Sequence, residues 1–78
     1  MNGTLPETLH LLGLICEAAG KQQEAADYYR KALYLDPNHY QTLVHLSMML
    51  QNQGDSIGTK LLSDRLRRLE NRERKHHA

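Results

Sequence analysis

The sequence matches itself when it is shifted by 34 residues, and this internal repeat limits the possible folds more than any other feature. The shift aligns five identical pairs: Thr8 with Thr42, Leu9 with Leu43, Leu12 with Leu46, Gly20 with Gly54, and Leu35 with Leu69. Other apolar positions align as well. Each half therefore predicts a helix, a glycine turn and a second helix, and the break at Asp36-Pro37 is the boundary between two copies of one unit.

Apolar residues three and four positions apart predict four helices, near residues 6–19, 22–35, 39–53 and 56–72. Thr4 and Asn38 are the expected N-terminal caps of the first and third helices, and Gly20 is the expected left-handed residue that ends the first. The polar end of the chain, residues 70–78, is expected to fray. The apolar face of the first helix is predicted to contain Leu5, Leu9, Leu12, Ile15, Cys16 and Ala19, and that of the fourth Ile57, Leu61, Leu62, Leu66 and Leu69. The predicted buried set is Leu9, Leu12, Cys16, Ala25, Tyr29, Ala32, Leu43, Leu46 and Leu50.

Size and charge exclude several classes of protein. A chain of 78 residues makes one small domain with no room for a large catalytic cleft. Ten Lys and Arg against nine Asp and Glu give a formal charge of +1, which argues against a protein devoted to nucleic acid or acidic membranes. A lone cysteine, Cys16, excludes a disulfide scaffold. The opening residues lack a signal-peptide pattern and no apolar run is long enough to span a bilayer, so we expect a cytoplasmic protein without membrane insertion.

The first unit resembles the tetratricopeptide repeat, a 34-residue helix hairpin with characteristic residues at fixed positions. The matching residues are Leu9, Leu12, Gly13, Cys16, Gly20, Ala25, Tyr29, Ala32 and Pro37, with Leu9 in place of the frequent Trp and Cys16 in place of an aromatic. The second unit departs from the pattern through Ser47, Thr59, Ser63, Leu66 and Asn71, which is typical of a terminal repeat. The resemblance implies an all-α fold of two hairpins in a right-handed solenoid. It divides the chain into a leader or added residues at 1–5, a first unit at 6–39, a degenerate capping unit at 40–73 and a polar tail at 74–78.

A narrower resemblance covers Leu9 to Asp55, above all the phrase KALYLDPNHY and the later LVHLSMMLQNQGD. This segment is similar to the C-terminal tetratricopeptide segment of bacterial chemoreceptor methyltransferases of the CheR type, including those of surface-sensing Wsp-like pathways. The resemblance implies a parent protein that transfers methyl groups from S-adenosylmethionine to receptor glutamates. The chain itself contains none of that chemistry, so we expect no enzyme activity and no cofactor in it.

In a stacked helical array the first helices of successive hairpins line a concave surface, which is the predicted binding groove. An apolar centre of Leu14, Val44 and Met48 within a polar rim suits a protein or peptide partner, which the resemblance implies is a chemoreceptor or signalling component. Leu5 and Leu11 are expected at the N-terminal face, and Tyr28 and Tyr34 at the outer surface or seam. The predicted groove residues are Glu7, His10, Leu14, Glu17, Ala18, Gln41, Val44, Met48, Gln51 and Asn52.

Three other features suggest chemistry more weakly. His10, His39 and His45 lack the close spacing of zinc ligands and are expected at the surface or in the groove, so no metal site is predicted. Cys16 lies on an apolar face and is expected to be a core residue. The arginines near the C-terminus alternate with acidic residues without aromatic neighbours, which favours a solvated face over phosphate binding.

The main alternative to partner binding is self-association as a structural module, and RNA binding is a third hypothesis.

Overall fold

The computed structural model describes the backbone of residues 4–77 and the side chains of residues 4–72. It contains four helices: α1 at Pro6–Ala18, α2 at Gln22–Leu35, α3 at Tyr40–Asn52 and α4 at Ser56–His77. The all-α prediction of two helix hairpins is confirmed, and α4 continues past the predicted end at residue 72. Most of the proposed leader and the side chains of the proposed polar tail lie outside the described residues.

The two hairpins turn in the same way. Gly20 and Gly54 adopt φ angles of 80° and 81°, a left-handed conformation that glycine enters without a Cβ penalty. After α1, the N–H of Lys21 donates to the carbonyl of Cys16 at 2.8 Å; after α3, the N–H of Asp55 donates to the carbonyl of Leu50 at 2.9 Å. These bonds satisfy carbonyls that would otherwise lack partners at the helix ends. The sequence repeat therefore corresponds to a repeated turn geometry.

The boundary between the hairpins is organised by Asp36, which is extended at φ −139° and ψ 91° as expected for a residue before proline. Its carboxylate accepts a hydrogen bond from the N–H of Asn38 at 3.1 Å. Asn38 is not the cap of α3, because α3 begins after His39, and Thr4 is not the cap of α1, because α1 begins after Leu5. Neither capping position makes a side-chain cap hydrogen bond, so both capping predictions are wrong. Pro6 at the start of α1 reduces the need for a cap because it has no N–H.

The hydrophobic core lies where α2 packs between the two first helices. Its cluster joins Ala25, Ala26, Tyr29, Leu46, Met49 and Leu50, with Leu14, Cys16, Leu33 and Leu62 packed against it. Seven of the nine residues predicted to be buried are buried, whereas Leu12 and Cys16 are only partly buried. Leu5, Ile15 and Ala19 are exposed, as are Ile57 and Leu61, so the predicted faces of α1 and α4 were too wide. Among the described residues, α1 packs mainly against α2 and α4 mainly against α3. The periodic pattern does not distinguish the covered half of an apolar stripe from the uncovered half.

The close approach of α1 and α2 makes Ala25 sensitive to size. Ala25 has no exposed surface and lies in the core cluster. We expect Ala25→Leu to lower the free energy of unfolding by about 1–3 kcal/mol, because added methylenes force neighbours out of their preferred rotamers. Lys21→Ala, at an exposed turn position, should change it by less than about 0.5 kcal/mol. Urea denaturation followed by circular dichroism measures both, and equal midpoints would contradict this burial pattern.

Candidate functional site

The predicted groove residues lie on α1 and α3, the first helices of the two hairpins. α2 packs against both of these helices, and α4 packs against α3. Most rim residues face solvent: Glu7, Ala18, Gln41, Gln51 and Asn52 are exposed. At the centre, Met48 is 55 % exposed, and Leu14 and Val44 are partly buried. Leu14 also packs against the core cluster, which fixes its position. Among the apolar residues of the predicted groove, Leu14 is thus held by the core, and Met48 presents the most exposed side chain.

His10 is the exception among the groove residues, because it is only 5 % exposed. Its Nε2 lies 2.9 Å from Nδ1 of His45 on α3. Its ring centroid is 5.7 Å from that of His39 and 5.8 Å from that of Tyr29. His10 therefore belongs to the seam between α1 and α3, and the expectation that all three histidines lie at the surface or in the groove is wrong for it.

The hydrogen bonds of His45 determine which ring nitrogen of His10 is protonated. Nδ1 of His45 also lies 2.9 Å from the carbonyl oxygen of Gln41, and a carbonyl only accepts. Nδ1 of His45 therefore carries the proton, and Nε2 of His10 accepts in the neutral state. A second proton on His10 would turn this contact into two N–H groups facing each other. The seam between α1 and α3 thus favours a neutral His10.

Burial lowers the pKa of His10 from its ordinary value of 6.5, and positive charge on His45 and His39 lowers it further. The unfolded chain therefore takes up this proton more readily than the folded one. We expect the free energy of unfolding to be highest above pH 6.5 and to decrease below it, by at most about 1.4 kcal/mol per pH unit for this single group. Urea denaturation across this range tests the prediction. His10→Gln should flatten the profile, whereas an unchanged profile would show that His10 does not contribute.

Glu17 lies at the edge of the groove and is positioned by α2. Its Oε1 accepts a hydrogen bond from the hydroxyl of Tyr29 at 2.6 Å. Burial raises the pKa of Tyr29 well above its ordinary range, and the hydrogen bond to Glu17 and the charge of that carboxylate raise it further. Tyr29 therefore stays protonated and keeps donating. The result is a carboxylate held in one place beside the apolar centre.

The charges are distributed unevenly between the front and the back of the repeat. The helices α1 and α3 carry two carboxylates, Glu7 and Glu17, and no lysine or arginine. All ten basic residues lie on α2, on α4 or in the turn at Lys21. On α4, Lys60 and Arg67 approach Asp64 at 3.8 and 3.5 Å, and the Arg65 guanidinium donates to the carbonyl of Pro37 at 3.3 Å. The helices α1 and α3 therefore carry a net charge of −2, and the rest of the chain, with ten basic and seven acidic residues, carries +3.

The other sequence candidates stay separate from the groove. Among the described residues, no group of three or more His, Cys, Asp and Glu side chains could hold a metal ion. Cys16 lines a shallow pocket of about 290 Å³ with Glu24, Asp27, Tyr28 and Lys31, beside the α1–α2 hairpin. Tyr34 is 86 % exposed on the outer surface, as predicted.

Sequence reasoning missed the histidine cluster, although the spacing of 35 between His10 and His45, one residue off the repeat, was a usable signal.

Two helix hairpins with the same turn geometry, 34 residues apart, define a helical-repeat module. Residues 6–39 match the sequence model of the family described as "Tetratricopeptide repeat", so the first hairpin is a tetratricopeptide repeat and that prediction is confirmed. The chain is 44% identical over 66 residues, 85% of its length, to "Probable biofilm formation methyltransferase WspC" of Pseudomonas aeruginosa. It is 44% identical over 62 residues, 80% of its length, to the protein of the same name from Pseudomonas putida. The predicted resemblance to bacterial methyltransferases is therefore confirmed as well.

The chain spans only a small part of these relatives, 16% and 15% of their lengths. No solved structure matches the chain significantly. None of the helices among the described residues combines the length and the apolar character needed to cross a membrane.

Proposed function

We propose that this chain is the partner-recruiting segment of a bacterial protein methyltransferase and that it binds its partner in the groove between α1 and α3. The observation that carries the proposal is the open apolar centre of Leu14, Val44 and Met48 within a polar rim. A surface of this composition loses unfavourable contact with water when an apolar side chain covers it. The tetratricopeptide repeat supports the same reading, because stacked hairpins present such a surface to other proteins.

The charge of the groove indicates what kind of segment it would accept. Glu7 and the positioned carboxylate of Glu17 lie on α1, and neither α1 nor α3 carries a lysine or arginine. An acidic segment would meet carboxylates with no cation to pair with. The favoured ligand is therefore an apolar helix or extended peptide with basic residues at its flanks.

The similarity to the two named methyltransferases supports a place for this segment in a longer enzyme. In that setting the parent protein would transfer methyl groups from S-adenosylmethionine to glutamates of a chemoreceptor in the cytoplasm. The groove would hold the receptor or another signalling component close to the enzyme, so that the local concentration of substrate rises. This chain supplies binding and none of the transfer chemistry.

The groove is tested by charging its apolar centre. We expect Val44→Glu combined with Met48→Glu to weaken binding of a chemoreceptor cytoplasmic fragment from the source bacterium by about tenfold or more, because buried unpaired charge is costly. Helical circular dichroism should change little, since Met48 is mostly solvated and Val44 only partly buried in the free chain. Isothermal titration calorimetry measures the affinity.

The matched control is Ile57→Glu combined with Leu61→Glu, two exposed apolar residues on α4 with the same spacing of four. It adds the same charge outside the groove and should bind like the parent chain. Equal affinities for the groove variant and the parent chain would contradict the groove as the binding surface. A parent chain that does not bind the receptor fragment at all would contradict the proposed partner.

A further inference from the structure

The two hairpins are joined mainly through α2. Among the described residues, α1 packs extensively on α2, and α3 packs on both α2 and α4, whereas α1 and α3 do not pack extensively against each other. The packing of α2 on α3 is part of the core cluster, with Ala26 on one helix and Met49 on the other, both almost fully buried. The position of α1 relative to α3 is therefore set by a small number of side chains.

A cluster of histidines provides contacts between α1 and α3. His10 lies on α1, His45 lies on α3, and His39 directly precedes α3. The ring centroid of His10 is 4.9 Å from that of His45 and 5.7 Å from that of His39. On α2, Tyr29 lies 5.8 Å from His10 and donates its hydroxyl hydrogen bond to Glu17. Among the described residues, these are the titratable groups that face His10.

The second-hairpin histidines of this cluster have neutral hydrogen-bond partners. Nδ1 of His39 lies 2.7 Å from the hydroxyl oxygen of Thr42, and Nδ1 of His45 lies 2.9 Å from the carbonyl oxygen of Gln41. The ion pairs of the described side chains are on α4, and none of them involves a histidine. A positive charge in the cluster would therefore lie beside other histidines without a carboxylate to balance it.

The arrangement has no place for a second proton on His10. With the proton of His45 on Nδ1, two N–H groups would face each other. With that proton moved to Nε2 of His45, Nδ1 would accept from His10, but its lone pair would face the carbonyl oxygen of Gln41. Either tautomer of His45 loses one contact. Two charged rings at 4.9 Å would also repel each other, and the burial of His10 reduces the screening by water.

We propose that His10 and His45 form a pH-sensitive latch between the hairpins. At neutral pH their hydrogen bond holds α1 beside α3. In acid the charged rings separate and the hairpins pivot about the packing of α2 on α3, which consists of apolar contacts and does not change its charge. The distance between α1 and α3 then increases while the four helices stay folded.

The latch adds regulation to the module. The predicted groove residues lie on both α1 and α3, so acid would also weaken partner binding; this consequence rests on the proposed function. The latch itself can be measured without a partner, so a failure of the latch is distinguishable from a failure of the groove.

Nuclear magnetic resonance of the full chain between about pH 7.5 and pH 5 tests the latch. The ring chemical shifts report the protonation of His10. As His10 takes up its proton, nuclear Overhauser effects between the rings of His10 and His45 should disappear, whereas those between α2 and α3 in the core cluster and the helical circular dichroism should persist. A His10 that takes up no proton in this range, ring contacts that persist after it does, or a simultaneous loss of helical signal would overturn the proposal.

Glutamine variants test which side chains form the latch. In His10→Gln the amide oxygen accepts from His45 and takes up no proton, so residue 10 should stay in contact with His45 in acid. In His45→Gln the amide oxygen accepts from a protonated His10, so the pKa of His10 should rise and its contact with position 45 should survive protonation. The control His39→Gln keeps the latch pair and should still release. Release at the parent's pH in both latch variants, or no release in the control, would overturn the proposal; if one latch variant does not fold, the other decides.

Discussion

Replacing Tyr29 by alanine should lower the free energy of unfolding by about 3–5 kcal/mol, the range for deleting a large buried aromatic side chain. Tyr29 is fully buried in the core cluster and its hydroxyl donates to Glu17. Its ring also lies against the histidine seam, 6.0 Å from the ring of His45. One residue thus connects α2, the edge of the groove and the contact between the hairpins. Since small domains have about 5–15 kcal/mol in total, this variant should be largely unfolded by modest urea concentrations.

The companion variant Tyr29→Phe separates packing from hydrogen bonding. It keeps the ring and removes only the hydroxyl, so we expect a loss of about 0.5–3 kcal/mol, less than that of the alanine variant. Urea denaturation of both variants at neutral pH gives the comparison. If Tyr29→Ala cost no more than Tyr29→Phe, the ring would not fill the core as described.

Gly13→Val should destabilise the chain by about 1–3 kcal/mol or more through overpacking. A Cβ at Gly13 would overlap the Tyr29 ring, lying 2.6 Å from its Cδ1 and 3.0 Å from its Cζ. Both residues are buried between α1 and α2, and Tyr29 has no exposed surface. The glycine is therefore required by the close approach of the two helices.

A double-mutant cycle checks that the ring causes this cost. In the background of Tyr29→Leu, which narrows the side chain, Gly13→Val should cost clearly less than in the parent chain, because neighbouring changes of this kind are not additive. Thermal or urea unfolding of the four proteins gives the coupling energy. If Gly13→Val destabilised both backgrounds equally, the strain would not come from the Tyr29 ring and would lie elsewhere in α1.

The sequence predicted the helices and turns well because each depends on local signals. Gly20 and Gly54 end the first helices, Asp36-Pro37 separates the hairpins, and the small Ala25 and Ala32 lie where the helices approach closely. The capping predictions failed for a local reason as well. Each helix begins one residue later than the predicted cap requires, α1 after Leu5 and α3 after His39.

The surfaces were harder to predict because they depend on which neighbours are present. Ile15 and Met49 are equivalent by repeat position and both apolar, yet Ile15 is 64 % exposed and Met49 is 2 % exposed. A hydrophobic pattern marks both as facing a neighbour and does not say that only one of them has it. His10 shows the converse. Its repeat position indicates the groove, but its contact with His45 places it between α1 and α3. This contact joins two side chains 35 residues apart, and helical periodicity alone does not predict it, although the spacing differs from the repeat length by only one residue.

The most direct test of the proposed groove is chemical-shift mapping on the isotope-labelled chain during titration with the chemoreceptor cytoplasmic fragment. Binding between α1 and α3 predicts the largest amide shifts at Leu14, Val44 and Met48, with small shifts along the outer side of α2. The largest shifts at Tyr28 and Tyr34 would contradict a groove-binding module and assign the partner to the outer face instead.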